Sequence, residues 1–118
     1  MSGTDQAEQR VGQDWHVVGP ESELLRTESV RLAIRPPVAV FNLDGEFRAI
    51  DDTCTHAESS LAEGYVEDGA VECILHFARF CIRTGAALSA PALDPVRTYP
   101  VKVEDGVVLV DLASRRHS

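Results

Sequence analysis

Residues 54–76 read CTHAESSLAEGYVEDGAVECILH. The stretch opens on Cys54-Thr55-His56 and closes on Cys73-Ile74-Leu75-His76, a C-x-H followed by a C-x-x-H. Each half offers one soft thiolate and one borderline imidazole. Together they make a complete ligand set for a metal centre. The whole chain holds 3 Cys and 4 His, and two matched pairs drawn from so few residues argue against an accidental arrangement.

Working outward, the two pairs sit among short segments rich in β-branched residues. Ala70 to Leu75 and Arg79 to Ile82 are strand-like runs that enter and leave the second pair, with Asp68-Gly69 and Thr84-Gly85 as turns. Upstream, Val30 to Arg35 alternates, with Val30, Leu32 and Ile34 on one face. Val38 to Leu43 follows Pro36-Pro37, which block a continuous ladder. Asp44-Gly45 joins this run to Glu46 to Asp51, a strong hairpin signal. Tyr99 to Val103 and Val107 to Leu112 flank Glu104-Asp105-Gly106 in the same way, and Pro91, Pro95 and Pro100 punctuate an irregular return segment. Only Glu21 to Thr27 reads as a short helical turn. The expectation is an all-β chain with a single domain over residues 14–113. A base of residues 14–50 and 87–113 is interrupted by a ligand-bearing β-loop unit, residues 51–86. A polar N-terminal leader (1–13) and a short C-terminal tail (114–118) flank it.

Composition narrows the function. A chain of 118 residues has no room for a large enzyme, and 44% hydrophobic with 25% charged residues is the balance of a globular domain. Eleven Lys and Arg against 19 Asp and Glu give a net charge of −8. Such a chain repels phosphate backbones and anionic lipid, which excludes nucleic acid and membrane surfaces as expected partners. No apolar run approaches the roughly 20 residues of a membrane span, and the N-terminus lacks an apolar signal core, so the expected compartment is the cytoplasm. There is no G-x-S-x-G, P-loop or G-x-G-x-x-G, so NAD and flavin chemistry must reside on another protein.

Two kinds of centre suit two Cys and two His. Structural zinc usually takes C-x₂₋₄-C followed by H-x₃₋₅-H, each pair closing on one ion. Here the order is Cys, His, Cys, His, and the one-residue spacer in the first pair makes convergence on a single ion tight. A two-iron cluster suits the order better, because each loop can give its Cys to one iron and its His to the other.

With these two boxes the sequence resembles the Rieske-type [2Fe–2S] ferredoxins, the small electron-carrying components of bacterial multicomponent aromatic-ring dioxygenases. The resemblance runs from about Trp15 to Leu112. It is supported by Arg79-Phe80, Arg83-Thr84-Gly85-Ala86 and the return Ala90-Pro91-Ala92-Leu93-Asp94-Pro95. It implies an antiparallel β-sandwich base with an inserted cluster-binding subdomain. It also implies one [2Fe–2S] cluster, with Cys54 and Cys73 on one iron and His56 and His76 on the other. By the same resemblance the protein is an electron carrier rather than an enzyme. Its electrons come from an NAD(P)H-dependent flavoprotein ferredoxin reductase and go to a terminal aromatic-ring-hydroxylating oxygenase. The small Rieske-like subunit of assimilatory nitrite reductase is the alternative within electron transfer, and a structural zinc-binding interaction module is the alternative from another class.

Departures from the family pattern sharpen these expectations. Members usually carry C-P-x-H-G in the second box, where this chain has Ile74 and Phe77. High-potential members join their loops by a disulfide. Its positions are Ser59 and Leu75 here, so that staple cannot form. The hydroxyl-bearing positions that raise the potential in those members are Ala78 and Phe80. The expected potential is therefore at the low end of the Rieske range, around −150 mV.

Cys81 is left without a ligand role and reads as a small apolar residue packed beside the ligand-bearing unit. His16 and His117 read as ordinary structural or solvated residues, and Trp15 as a core anchor. Seven acidic residues, Asp51, Asp52, Glu58, Glu63, Glu67, Asp68 and Glu72, fall between Ala49 and Ala78, where no Lys or Arg occurs. As a set they read as a docking surface for basic patches on redox partners.

Overall fold

The computed structural model describes residues 13–54, 59–74, 78–89 and 94–113. His56, His76, Leu75, Phe77, the segment Ala90 to Leu93, His117 and the tail, with all but the last residue of the leader, lie outside the described residues. Ten strands and one short helix make up the described elements: β1 (Trp15–Pro20), α1 (Glu21–Leu24), β2 (Ser29–Leu32), β3 (Val38–Leu43), β4 (Glu46–Asp51), β5 (Tyr65–Glu67), β6 (Ala70–Glu72), β7 (Arg79–Cys81), β8 (Thr98–Tyr99), β9 (Val101–Glu104) and β10 (Val107–Asp111). A 3₁₀ turn, Leu61–Glu63, precedes β5. The strands form three antiparallel sheets, ordered β1-β10-β9, β2-β3-β4-β8 and β5-β6-β7. The chain is all-β, as its alternation implied.

Three hairpins are closed in the same way. Asp44-Gly45, Asp68-Gly69 and Asp105-Gly106 each place both residues at positive φ, between 53° and 91°. That is the twist two-residue connections need to match the right-handed twist of their strands. Each turn sits directly between paired residues: Leu43 and Glu46, Glu67 and Ala70, Glu104 and Val107.

The four-stranded sheet is the middle layer, and β3 shows why. Val38, Ala39, Val40 and Phe41 are all buried, so the strand is apolar on both faces. Val38 and Val40 join Phe47, Ala49, Tyr99, Val108, Val110 and Leu112 in one core against the β1-β10-β9 sheet. Ala39 and Phe41 face the other way, into a second core with Ile50, Leu61, Val71, Phe80, Ile82 and both Cys54 and Cys73. Full burial of each large apolar side chain is worth roughly 1.5–3 kcal/mol, so the second core holds the cysteine-bearing unit onto the middle sheet. Val66, Val71 and Phe80 form the row of the β5-β6-β7 sheet that faces it.

Where elements end differently from the sequence pattern, a partner decides. The run expected over Val30 to Arg35 stops at Leu32, whose partner is Val38. The intervening residues, ending in Pro36-Pro37, make the reversal, and proline has no N–H for a ladder. Val30, Leu32 and Ile34 nevertheless share one face, against the first core. Tyr99 to Val103 is split at Pro100: Tyr99 pairs with Ala49 of the middle sheet, whereas Val101 pairs with Val110. Pro100 thus hands the chain from one sheet to the next, and its carbonyl accepts from the Asp111 N–H at 2.9 Å. The helical turn after Glu21 exists, but only Glu21–Leu24 is helix. Trp15 is half-buried rather than a core anchor, and Lys102 Nζ lies 4.3 Å from its ring centroid. His16 pairs with Asp14 at 3.2 Å.

Candidate metal centre

The two candidate-ligand segments are closed by matching backbone bonds at their described ends. In the first, the Cys54 N–H donates to the Ser59 carbonyl at 3.1 Å. In the second, the Cys73 N–H donates to the Ala78 carbonyl at 2.7 Å. Each bond runs from residue i to residue i+5, so each cysteine stands at the first position of a closed six-residue loop. Antiparallel pairs brace both loops from behind: Thr53 bridges Ser60 outside the first, and Glu72 pairs with Arg79 outside the second. His56 and His76 belong to the same two loops by sequence and lie outside the described residues.

The loops meet. Ser59 Oγ, at the closing position of the first loop, lies 2.8 Å from Sγ of Cys73 in the second. Cys54 is 3% exposed and Cys73 not at all, and both belong to the second core. Two buried thiols on adjoining loops, each loop with a histidine in its sequence, are a donor set that fits a Rieske-type cluster. Ala78 and Phe80 are fully buried beside them and carry no side-chain donor. Ile74 is instead exposed, at 48%.

The first loop hangs on Asp52, which is 1% exposed. Its Oδ1 accepts from Ser60 Oγ and from the Ala62 N–H, both at 2.8 Å, and its Oδ2 accepts from Arg31 Nε at 3.0 Å. Its backbone carbonyl accepts from the Leu61 N–H at 2.6 Å. A buried carboxylate is costly unless it is paired and hydrogen-bonded, and here it is both. Asp52 is therefore a framework residue and not part of an acidic surface. Asp51 is also engaged: it accepts from the Tyr99 hydroxyl and from the Arg97 N–H. Of the acidic set, Glu63, Glu67 and Asp68 are exposed, Glu72 is half-buried, and Glu58 lies outside the described residues.

Two glycines set the unit's closest approaches. A Cβ at Gly64 would lie 2.3 Å from the Glu72 carbonyl oxygen, and one at Gly85 2.2 Å from that of Val96. Gly85 also has φ +78°, so no other residue fits there without strain. Arg83, just beyond β7, reaches back to Glu46 Oε1 at 2.9 Å. Arg48 and Arg83 hold the Glu46 carboxyl below its ordinary pKa, Arg48 contributing most.

Cys81 is half-buried, on the β7 face opposite the second core's Phe80, and not a fully packed apolar residue. A hydrogen bond from the Thr84 side chain leads the causes that lower its thiol pKa. The Asp52 network was not visible in the sequence, and the resemblance set Ser59 opposite Leu75 of the second loop rather than against Cys73. Asp52 looked like one more surface carboxylate, and no spacing rule links residues 59 and 73.

Comparison with known proteins agrees with this geometry. The family model for the Rieske [2Fe-2S] domain matches residues 14–100. The 3-phenylpropionate/cinnamic acid dioxygenase ferredoxin subunit of Escherichia coli K12 is 50% identical over 94 residues, covering 79% of this chain and 89% of that one. Among solved structures, the ferredoxin of Sphingomonas yanoikuyae B1 superposes with a TM-score of 0.76 at 36% identity, over 83% of this chain and 98% of that one. A chain in the complex of reduced oxygenase and oxidized ferredoxin in carbazole 1,9a-dioxygenase superposes with a TM-score of 0.79 at 33% identity, over 84% and 94%. By its sequence, its three sheets and its paired cysteine loops, this chain belongs to the Rieske [2Fe-2S] domain family.

Proposed function

We propose that the protein carries single electrons, by way of one Rieske-type [2Fe–2S] cluster, between a flavoprotein ferredoxin reductase and a terminal aromatic-ring-hydroxylating oxygenase in the cytoplasm. The unit that holds the cluster is residues 51–86, set into a base of residues 14–50 and 87–113. Cys54 and Cys73 ligate one iron, and His56 and His76 the other. Once bound, the cluster supplies a one-electron couple. The chain's own residues fix its surroundings. The two i-to-i+5 loops orient the thiolates, the second core keeps water from them, and Asp52 holds the first loop to the strand that precedes it. The single observation that carries the reading is the meeting, through Ser59 and Cys73, of two loops that each carry a buried cysteine.

The role as an electron-transfer component, rather than a catalyst, is supported by the relatives, which are named as dioxygenase ferredoxins. The reductase and oxygenase are the partners that role requires. Among the described residues no helix is long and apolar enough to cross a membrane. With Ala78 and Phe80 offering no hydroxyl, the potential sits at the low end of the Rieske range, around −150 mV.

The test is to purify the protein anaerobically and measure iron, acid-labile sulfide and zinc, with EPR after reduction. Red-brown protein with iron and sulfide in equal amounts and a Rieske EPR signal is the expected result. NADH should then reduce it through catalytic amounts of a flavoprotein ferredoxin reductase. Colourless protein holding one zinc would overturn the proposal.

A further inference from the structure

We infer that the Ser59 hydroxyl donates a hydrogen bond to the ligand sulfur of Cys73, across the two loops, and thereby raises the midpoint potential of the centre. The inference rests on the proposed cluster, in which Cys73 is a thiolate. A thiolate has no hydrogen to give, so at 2.8 Å the hydroxyl is the donor. Cys73 is fully buried, so bulk solvent does not reach that sulfur.

Ser59 is not a mobile surface serine that happens to touch a sulfur. Its carbonyl accepts from the Cys54 N–H at 3.1 Å. Its neighbour Ser60 is bonded to the buried Asp52 at 2.8 Å and bridges Thr53. The hydroxyl is held in place by the same framework that closes the first loop. Reduction adds one electron, and the negative charge it brings is shared with the ligand sulfurs. A hydrogen bond strengthens as its acceptor becomes more negative, so Ser59 stabilises the reduced state more than the oxidised one. Hydrogen bonds to the sulfurs are among the levers that set such potentials. Ser59 supplies one from the first loop, where Ala78 and Phe80 supply none from the second.

The test is a redox titration, followed by visible absorption and EPR, of the loaded wild type, Ser59→Ala and Ser59→Thr. Removing the hydroxyl should lower the reduced-to-oxidised ratio at a fixed poise about tenfold, which is 59 mV for a one-electron couple. Ser59→Thr keeps the hydroxyl and should stay near the wild type. A loaded Ser59→Ala protein whose ratio moves less than twofold overturns the inference. So does a variant that loses iron or thermal stability with its potential unmoved, since that is a staple and not a tuning bond. If Ser59→Ala fails to load, Ser59→Gly provides the second deletion. Should neither load while Ser59→Thr does, the hydroxyl serves assembly and the inference is again overturned. A wild type with no Rieske EPR signal would overturn the cluster proposal itself, and this inference with it.

Discussion

Arg31 Nε donates to Oδ2 of Asp52 at 3.0 Å, joining a half-exposed guanidinium on β2 to a carboxylate that is only 2% exposed. The two partners are not equivalent. Arg31 can be solvated if the pair breaks, but Asp52 also satisfies the Ser60 hydroxyl and the Ala62 N–H. Asp52→Ala removes all three bonds and leaves the half-buried Ser60 hydroxyl and Ala62 N–H without this acceptor, at up to about 1–3 kcal/mol for each donor left unsatisfied. We expect a loss of about 2–4 kcal/mol in urea unfolding of the loaded protein, with faster loss of iron. Arg31→Met should cost clearly less. Equal effects would mean that the ion pair, and not the carboxylate's bonds to the loop, holds the site.

Ligand removal should separate the two cores. Cys54 and Cys73 lie in the core between the middle sheet and the β5-β6-β7 sheet, and the other core contains neither. Cys73→Ser should abolish the visible and EPR signals of the cluster while far-ultraviolet circular dichroism keeps its β signature. Hydrogen exchange should then speed up around residues 65–82 and stay slow in β3 and β10. Uniform acceleration across the chain would show that the base depends on the cluster.

Cys81 should behave unlike the other two cysteines. Its pKa is lowered, chiefly by the Thr84 hydrogen bond, and it is half-buried rather than sealed. A lowered thiol pKa means the nucleophilic thiolate is present at lower pH. Alkylation of the loaded protein by iodoacetamide should therefore fall on Cys81, with its pH midpoint below that of an ordinary thiol. Thr84→Val should shift that midpoint upward. Mass-spectrometric mapping of the alkylated peptide checks both points, and an unmoved midpoint in Thr84→Val would remove Thr84 as the cause.

What could be read beforehand follows from the range of the interactions involved. The Asp-Gly turns depend on adjacent residues, so their turn chemistry is written locally: Asp44-Gly45 and Asp105-Gly106 close the hairpins expected of them, and Asp68-Gly69, read only as a turn, closes the β5-β6 hairpin. The run Val38 to Leu43 is likewise legible as a strand, but its burial on both faces emerges only from the two cores that it separates. The two Cys/His boxes are likewise local motifs. Contacts between distant residues were less legible: the resemblance sets Ser59 opposite Leu75 but not against Cys73, and nothing links Asp52 to Arg31. Ser59 reaches Cys73 only because two loops of equal closure fold side by side, and Asp52 reaches Arg31 only because β2 and the end of β4 lie on one sheet. In sequence Asp52 is one acid among seven, and burial alone distinguishes it.

That distinction changes the electrostatic expectation. With Asp51 and Asp52 committed to internal bonds, steering of a basic partner falls to the exposed Glu63, Glu67 and Asp68. Exposed charges act mainly on the association rate, and salt screens them over a Debye length of about 10 Å at 0.1 M. Replacing the three by Gln and Asn should lower the second-order rate of reduction by a ferredoxin reductase several-fold at low ionic strength. The difference should shrink toward nothing by about 0.5 M salt, while the maximal rate at saturation is unchanged. Stopped-flow reduction across a salt series measures both. If the triple variant keeps the wild-type rate and salt slope, docking relies on another surface, and the exposed apolar Ile74 beside Cys73 becomes the next residue to replace.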